Sequence, residues 1–584
     1  MTQPVAIAAL VAVAIVTVII GARGVRVSRT PADFLVAARQ VPPFLNASAI
    51  SGEYLSAASF LGIAGLAMLE GLGALWYAVG YVAGYLVLLA AVAAPLRRFG
   101  AYTIPDFAEG RLGSPVLRRA ATVMVLVISG FYLLPQLKGA GITLEVTFDG
   151  PYWIGVVVLG VVVTTGIASG GMKSITLVQA FQYWLKLTAI AIPAVALLLF
   201  FHHASFGSVQ QTTAPIFGHR TDVVFPGPET ISVRHAVTVQ ASGHLDGVAR
   251  HGALRLAPGT FEVAAGTHLS FPAGSAAPGL AAAPAPAGPA WASPLIRLDG
   301  VANHPLAATY GVLLATALGA IGLPHILVRF YTNRDGQGAR RTTAVVIALL
   351  SCFYVFPALF AALGRLEAPG LYLTGQTDSV VLVLPRLVSA GIAGTLLGAL
   401  VAAGAFAAFL STSSGLLISM AGAVSHDIFG RGVRAFRVAA VALGAVATAL
   451  GLLVAGISIN LLVGWAFAIA ASSFGPLLLL GIWWRRLTWV GALIGLVLGG
   501  GASSVAVVLA MVGVGRQGWP AVLLGEPAIW TVPLAFLAMV LGSLATRRTL
   551  PADVTGKLLA LHLPEHLLRH RVAASPTMRP GPSG

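Results

Sequence analysis

Apolar runs long enough to cross a lipid bilayer follow one another along almost the whole of this chain. That recurrence limits the possible folds more than any motif does. A spanning helix needs about 20 mostly apolar residues, and at that window about thirteen runs appear. They centre on residues 4–21, 43–70, 74–96, 120–147, 152–168, 175–201, 306–330, 342–364, 391–424, 436–456, 459–482, 489–513 and 528–545. Hydrocarbon offers the backbone no partners, so such runs satisfy their own N–H and C=O groups as helices. The chain is 57% hydrophobic and 9% charged, whereas soluble proteins carry about 25% charged residues. The expectation is an all-α polytopic membrane protein.

The net charge is +16, from 35 Lys+Arg and 19 Asp+Glu. These basic residues are spread over many short loops and not gathered on one face, so no nucleic-acid partner is expected. They follow the positive-inside rule. With residues 22–42 inside, the inside set includes Arg23, Arg26, Arg29, Arg97, Arg98, Arg118, Arg329, Arg334, Arg431, Arg434 and Arg485. Outside the one long loop, the opposite set holds only Arg365, Arg386 and Arg516. This predicts a plasma (inner) membrane protein with its N-terminus outside and its C-terminus cytoplasmic. Residues 1–21 read as an uncleaved extra helix, because no basic segment precedes them and three arginines follow; a cleaved signal peptide is the alternative. The single cysteine, Cys352, leaves no intrachain disulfide.

Residues 202–305 form one large external insertion. Its middle alternates apolar and polar residues, as in Ile231-Ser232-Val233-Arg234 and Thr260-Phe261-Glu262-Val263, which predicts short strands or hairpins. Gly279–Pro289 is Ala/Pro/Gly-rich and reads as a flexible stretch. Seven histidines lie between His202 and His268 without tight ligand spacing, so solvated loop residues are expected in preference to a metal site. In the cytoplasmic tail, 546–584, His562, His566 and His570 share a helical spacing that Pro564 interrupts, which predicts an amphipathic surface segment.

Several spans carry polar residues that lipid would not tolerate. Ser411-Thr412-Ser413-Ser414 sits within the uncharged stretch Gly391–Val424, and Ala408, Ser411 and Thr412 share one face. Sodium, a hard cation, takes oxygen ligands; the alternative is that these hydroxyls bond back to carbonyls one turn earlier. The span 43–70 holds Asn46, Ser48, Ser51, Gly52, Glu53, Tyr54, Ser56 and Ser59. Gly52 and its flanking serines predict unwinding in mid-membrane, and Glu53 is an intramembrane acid with a coupling role or a pairing with a nearby cation. Gln179, Gln182, Tyr183 and Lys186 make one polar stripe, and Lys138 lies near Gln136 at comparable depth. Either lysine could hold a substrate carboxylate, carry a proton, or pair with Glu53 or with carbonyls. The span 306–330 is interrupted at Gly319, Gly322 and Pro324. Interrupted spans thus open two sets of five, 43–201 and 306–482, running in opposite directions, with two further helices at 489–545. This is inverted-repeat logic.

The chain resembles the sodium/solute symporter family, most nearly its acetate and monocarboxylate permease (cation acetate symporter) branch. The resemblance rests on Asp33-Phe34-Leu35-Val36-Ala37-Ala38-Arg39, Ser56-Ala57-Ala58-Ser59-Phe60-Leu61-Gly62, Gly170-Gly171-Met172-Lys173 and Gly322-Leu323-Pro324-His325 leading to Arg329-Phe330-Tyr331. Ser425-His426-Asp427 and Trp483-Trp484-Arg485-Arg486-Leu487 complete the set. It implies a LeuT-type 5+5 inverted-repeat fold. It implies a sodium site made of the Gly52, Leu55 and Ala408 carbonyls with the Ser411 and Thr412 hydroxyls, and a solute pocket including Ser59, Gln136 and Tyr310. One departure is Gln179, where several members carry an Asp; this leaves room for a proton in place of sodium. The expected function is Na⁺-coupled uptake of a small monocarboxylate such as acetate, pyruvate or propionate. The alternative is H⁺ coupling through Glu53 or Lys186, and a solute sensor on the same scaffold is the third reading. The expected partners are a small organic anion and membrane lipid, with no obligate protein partner and no organic cofactor. No H-E-x-x-H motif or paired intramembrane carboxylates appear, so no enzyme is expected.

Overall fold

The computed structural model describes residues 3–25, 41–200 (without 102, 149, 170 and 171), 215–296 (without 282–284), 304–389, 391–427, 432–515 and 517–564. The Asp33–Arg39 motif, Gly170-Gly171, His202, Arg431, Arg516, His566 and His570 lie outside these residues. Among the described residues, nine helices are long and apolar enough to span a membrane, two bent pairs make broken spans, and Pro4–Thr17 and Tyr152–Ala168 are shorter apolar helices.

The first broken span pairs α1 (Pro43–Tyr54) with α2 (Ala58–Glu70) at 70°; the second pairs α3 (Pro305–Ala320) with α4 (Pro324–Phe330) at 40°. Their causes differ. In the second, Pro324 has no N–H to donate, and Leu323 is extended (φ −75°, ψ 115°). In the first, the chain leaves the helix at Leu55 (ψ 89°), beyond the glycine on which unwinding was expected. Gly52 itself stays helical. Its role is close approach: a β-carbon there would lie 2.2 Å from the Gln179 carbonyl oxygen. Gly319 plays the same part against the helix 459–483, where a β-carbon would lie 2.5 Å from the Phe467 carbonyl oxygen. Small residues let membrane helices pack backbone to backbone.

Around these breaks, α5 (Pro115–Phe148), α6 (Met172–Phe200), α7 (Gly336–Glu367), α8 (Gly391–Asp427) and α9 (Ile459–Trp483) close the core. α1 packs on α6, α3 on α9, and α8 on both α5 and α6. The N-terminal helix Gln3–Val25 leans on α6 and α8 from outside.

The insertion folds into one antiparallel sheet of seven strands: β1 Thr221–Val224, β2 Glu229–Val233, β3 Val237–Leu245, β4 Val248–Leu256, β5 Gly259–Val263, β6 His268–Phe271 and β7 Gly279–Leu280. The order is β1-β6-β3-β5-β2-β7, with β4 paired to β3. The alternating residues bury Ile231, Val233 and Val263, and Leu373, from the segment after α7, completes this second core. Gly279-Leu280 is a strand and Gly288–Trp291 a helical turn, so the Ala/Pro/Gly-rich stretch is ordered at both ends. Among the described residues no three His, Cys, Asp or Glu side chains converge as a metal site.

Candidate functional site

The break after Tyr54 leaves carbonyls of α1 without helical partners, and they turn toward α8. The Ser411 hydroxyl lies 2.8 Å from the Gly52 oxygen and 3.0 Å from that of Ala408. The Thr412 hydroxyl donates to the Glu53 carbonyl at 2.6 Å. A cation-sized group sits among these oxygens, and the chain supplies it. The Lys186 ammonium, reaching in from α6, donates to the Gly52 carbonyl, to the Leu55 carbonyl at 2.8 Å and to the Ser411 hydroxyl at 2.5 Å. Lysine has three ammonium donors, and all three are used. Gly52, Leu55 and Ser411 are therefore brought to one point; the Ala408 carbonyl is reached by the back-bond of the Ser411 hydroxyl one turn later, the alternative raised above, and Thr412 beside them holds the next carbonyl.

A second ionic group lies behind the first. The Glu53 carboxylate accepts from Arg329 Nε at 2.7 Å, both side chains being buried. The same guanidinium donates to Thr176 at 2.8 Å and to the Gln179 side-chain oxygen. The Gln179 amide returns a hydrogen bond to the Ser411 carbonyl at 3.0 Å. The absent side chain of Gly415 makes room for the carboxylate, since a β-carbon there would fall 1.6 Å from Glu53 Oε1. Glu53 thus has a cation partner, but not a lysine. That partner is Arg329, 276 residues away in sequence and counted above among the inside basic residues. Nothing local in the sequence joins the two; the signal was an arginine four residues after a helix-breaking Pro-His pair.

The remaining sequence candidates separate. Gln136 accepts from the Ala57 N–H at 2.8 Å, capping the broken helix, and donates to the Tyr132 carbonyl at 3.2 Å. Ser59 shares a 2.9 Å hydrogen bond with the Tyr354 hydroxyl. Lys138 lies elsewhere: it donates to the Ile457 carbonyl and sits 3.6 Å from Asp378, which in turn accepts the Ile459 N–H at 3.0 Å. Tyr310 is a correction. It is 65% exposed, beside exposed Leu306, on the face of α3 turned away from the core. The buried face carries Ala308, Val312 and Ala315.

Sequence reasoning also missed an aromatic group beside the break. The Tyr54 ring meets Tyr85 edge-on at 4.9 Å, Tyr81 lies 4.8 Å from Phe467, and Tyr132 lies 5.6 Å from Phe467 and 5.3 Å from His325. Tyr77, Tyr81 and Tyr85 recur every four residues and are all buried, a spacing visible in the sequence as one helix face.

The sodium:solute symporter family model matches residues 34–244 and 295–499. The chain is 28% identical to the uncharacterized symporter YwcA of Bacillus subtilis over 546 residues, covering 90% of this chain and 91% of that protein. It is 28% identical to a monocarboxylic acid transporter of Corynebacterium glutamicum over 534 residues, covering 88% and 86%. A solved Na⁺-coupled sialic acid symporter in a substrate-bound outward-open state superposes with a TM-score of 0.61 at 12% identity, over 92% of this chain and 98% of that one. The likeness to this symporter shows the fold, a LeuT-type arrangement around two broken helices. The chain is a multi-pass solute symporter and belongs to the sodium:solute symporter family.

Proposed function

We propose that this symporter carries a small monocarboxylate, such as acetate, pyruvate or propionate, together with a proton. It would do so in the plasma membrane, with its N-terminus outside. The solute class rests on the likeness to the monocarboxylic acid transporter. The observation that carries the coupling ion is the Lys186 ammonium among the oxygens of Gly52, Leu55 and Ser411. A sodium ion and an ammonium cannot share that space.

Protonated Lys186 ties α1, α6 and α8 together at the break. Loss of the proton to water removes the charge and leaves two N–H donors for three acceptors, which loosens α1 from its neighbours. Charge also matches. Glu53 and Arg329 cancel as a pair, leaving Lys186 as the unbalanced charge among the three, and one carboxylate solute neutralises it. One proton entering with one anion moves no net charge. Sodium coupling remains the second reading, favoured by the convergence of the Gly52, Leu55 and Ser411 oxygens; it requires Lys186 to withdraw.

The test is pyruvate uptake into proteoliposomes with sodium and pH gradients imposed separately. Uptake driven by the pH gradient in sodium-free buffer is the expected result. Uptake that follows only the sodium gradient overturns the proton assignment.

A further inference from the structure

We infer that His325 binds the carboxylate of the transported acid. The inference rests on the monocarboxylate reading above but not on which ion drives transport. His325 is the second residue of α4, just past the break, and is 1% exposed. Among the described residues, neither ring nitrogen has a hydrogen-bond partner. A buried imidazole carries one donor and one acceptor when neutral, and leaving both unmet costs free energy. Buried polar groups in native interiors are normally met by a protein group, water or a ligand.

Its surroundings say what kind. The ring meets Tyr132 edge-on at 5.3 Å, and Tyr132 packs on Phe467. His325 precedes Arg329 by one helical turn, so the two share a face of α4. The Arg329 charge already belongs to Glu53. Ser59 and Gln136, the polar residues the sequence singled out for the solute, use their side chains on Tyr354, Ala57 and Tyr132. His325 keeps its donor free just past the break between α3 and α4, with the Tyr132 ring beside it and Phe467 behind that ring. A carboxylate oxygen accepting from the imidazole N–H makes a charge-assisted bond. A short apolar tail then lies against Tyr132 and Phe467. The ligand class is a small monocarboxylate held by its acid group.

The test is pyruvate counterflow in proteoliposomes at equal pH and equal sodium, which reads solute binding whichever ion is coupled. His325→Phe is expected to raise the KM for pyruvate at least tenfold without lowering the unliganded unfolding midpoint, since it removes the unmet polar group. His325→Gln, which keeps an N–H donor, should raise it less. Pyruvate should raise the unfolding midpoint of the wild type but not of H325F, and methyl pyruvate, which lacks the carboxylate, should raise neither. A wild-type KM in H325F overturns the inference. Should H325F fail to fold, His325→Asn, too short to reach the same point, takes its place, and a wild-type KM there overturns it equally. A sodium-driven protein in which H325F still raises KM would sink the proton reading and leave this one standing.

Discussion

Replacing Lys186 by methionine separates coupling from binding. Methionine matches the length of the lysine stem and removes only the ammonium. Three acceptors lose a charged donor: the Gly52 carbonyl, the Leu55 carbonyl at 2.8 Å and the Ser411 hydroxyl at 2.5 Å. Hydrogen bonds to a charged group contribute about 1.5–3 kcal/mol each. Against that stands the relief from burying an ammonium, itself several kcal/mol. The opposing terms leave the fold standing. The coupling term does not cancel. For one proton per anion, a gradient of about one pH unit supplies ~1.4 kcal/mol, which sustains roughly tenfold accumulation. Lys186→Met should lower the ratio to one while counterflow persists. Pyruvate is the solute to use. Neutral acetic acid crosses lipid unaided and would show the same ratio without protein, whereas pyruvate, a stronger acid, leaves little neutral form. A K186M protein that still accumulates pyruvate tenfold under the same pH gradient refutes the assignment of the proton to Lys186.

Arg329→Met strands the Glu53 carboxylate in the interior, and removing one partner of a buried ion pair costs about 3–5 kcal/mol; the double variant E53Q/R329M should recover part of the lost unfolding midpoint, as a thermal melt in detergent would show. Gly52→Ala places a β-carbon 2.2 Å from a backbone oxygen that cannot swing aside, so it should cost at least about 1–3 kcal/mol and abolish uptake, whereas Gly130→Ala, with nothing within 4 Å, should be neutral or gain up to about 1 kcal/mol. Glu526, buried just before the helix Ala528–Ala545 and accepting from Tyr77 at 3.3 Å, has its carboxyl pushed up to about 8 by burial, from 4.5. The folded protein holds this proton between those values and the unfolded chain does not, so the stabilisation is complete below pH 4.5 and is lost as pH rises through 8. Between pH 6 and 8 the loss should reach about 2 kcal/mol, read as a falling unfolding midpoint that Glu526→Gln flattens.

What the sequence discloses about this fold and site follows from how each signal is written. Breaks are written locally, in Pro324 and the glycines near it, so both interrupted spans were legible to within a few residues. The alternation in Ile231–Val233 and Thr260–Val263 is local too, and both stretches are strands. The facing of a helix within the bundle is not local. Both sides of α3 are apolar, one exposed and the other against protein, so no periodic contrast separates Tyr310 from Val312. Tyr310 therefore read as a pocket residue although it faces outward. Pairings between helices are less legible still. The stripe Gln179–Lys186 showed that one face of α6 needs polar company, and Glu53 showed the same for α1, but the sequence left open whether Lys186 meets Glu53, carbonyls or a solute. The bundle gives it carbonyls. Gly52 admits α6 so closely that Lys186 overshoots the carboxylate and reaches the carbonyls beyond it, while α4, freed to bend at Pro324, delivers Arg329 to Glu53. Lys186 thus takes the place expected for the ion, and it does so because a missing β-carbon sets the distance between two backbones.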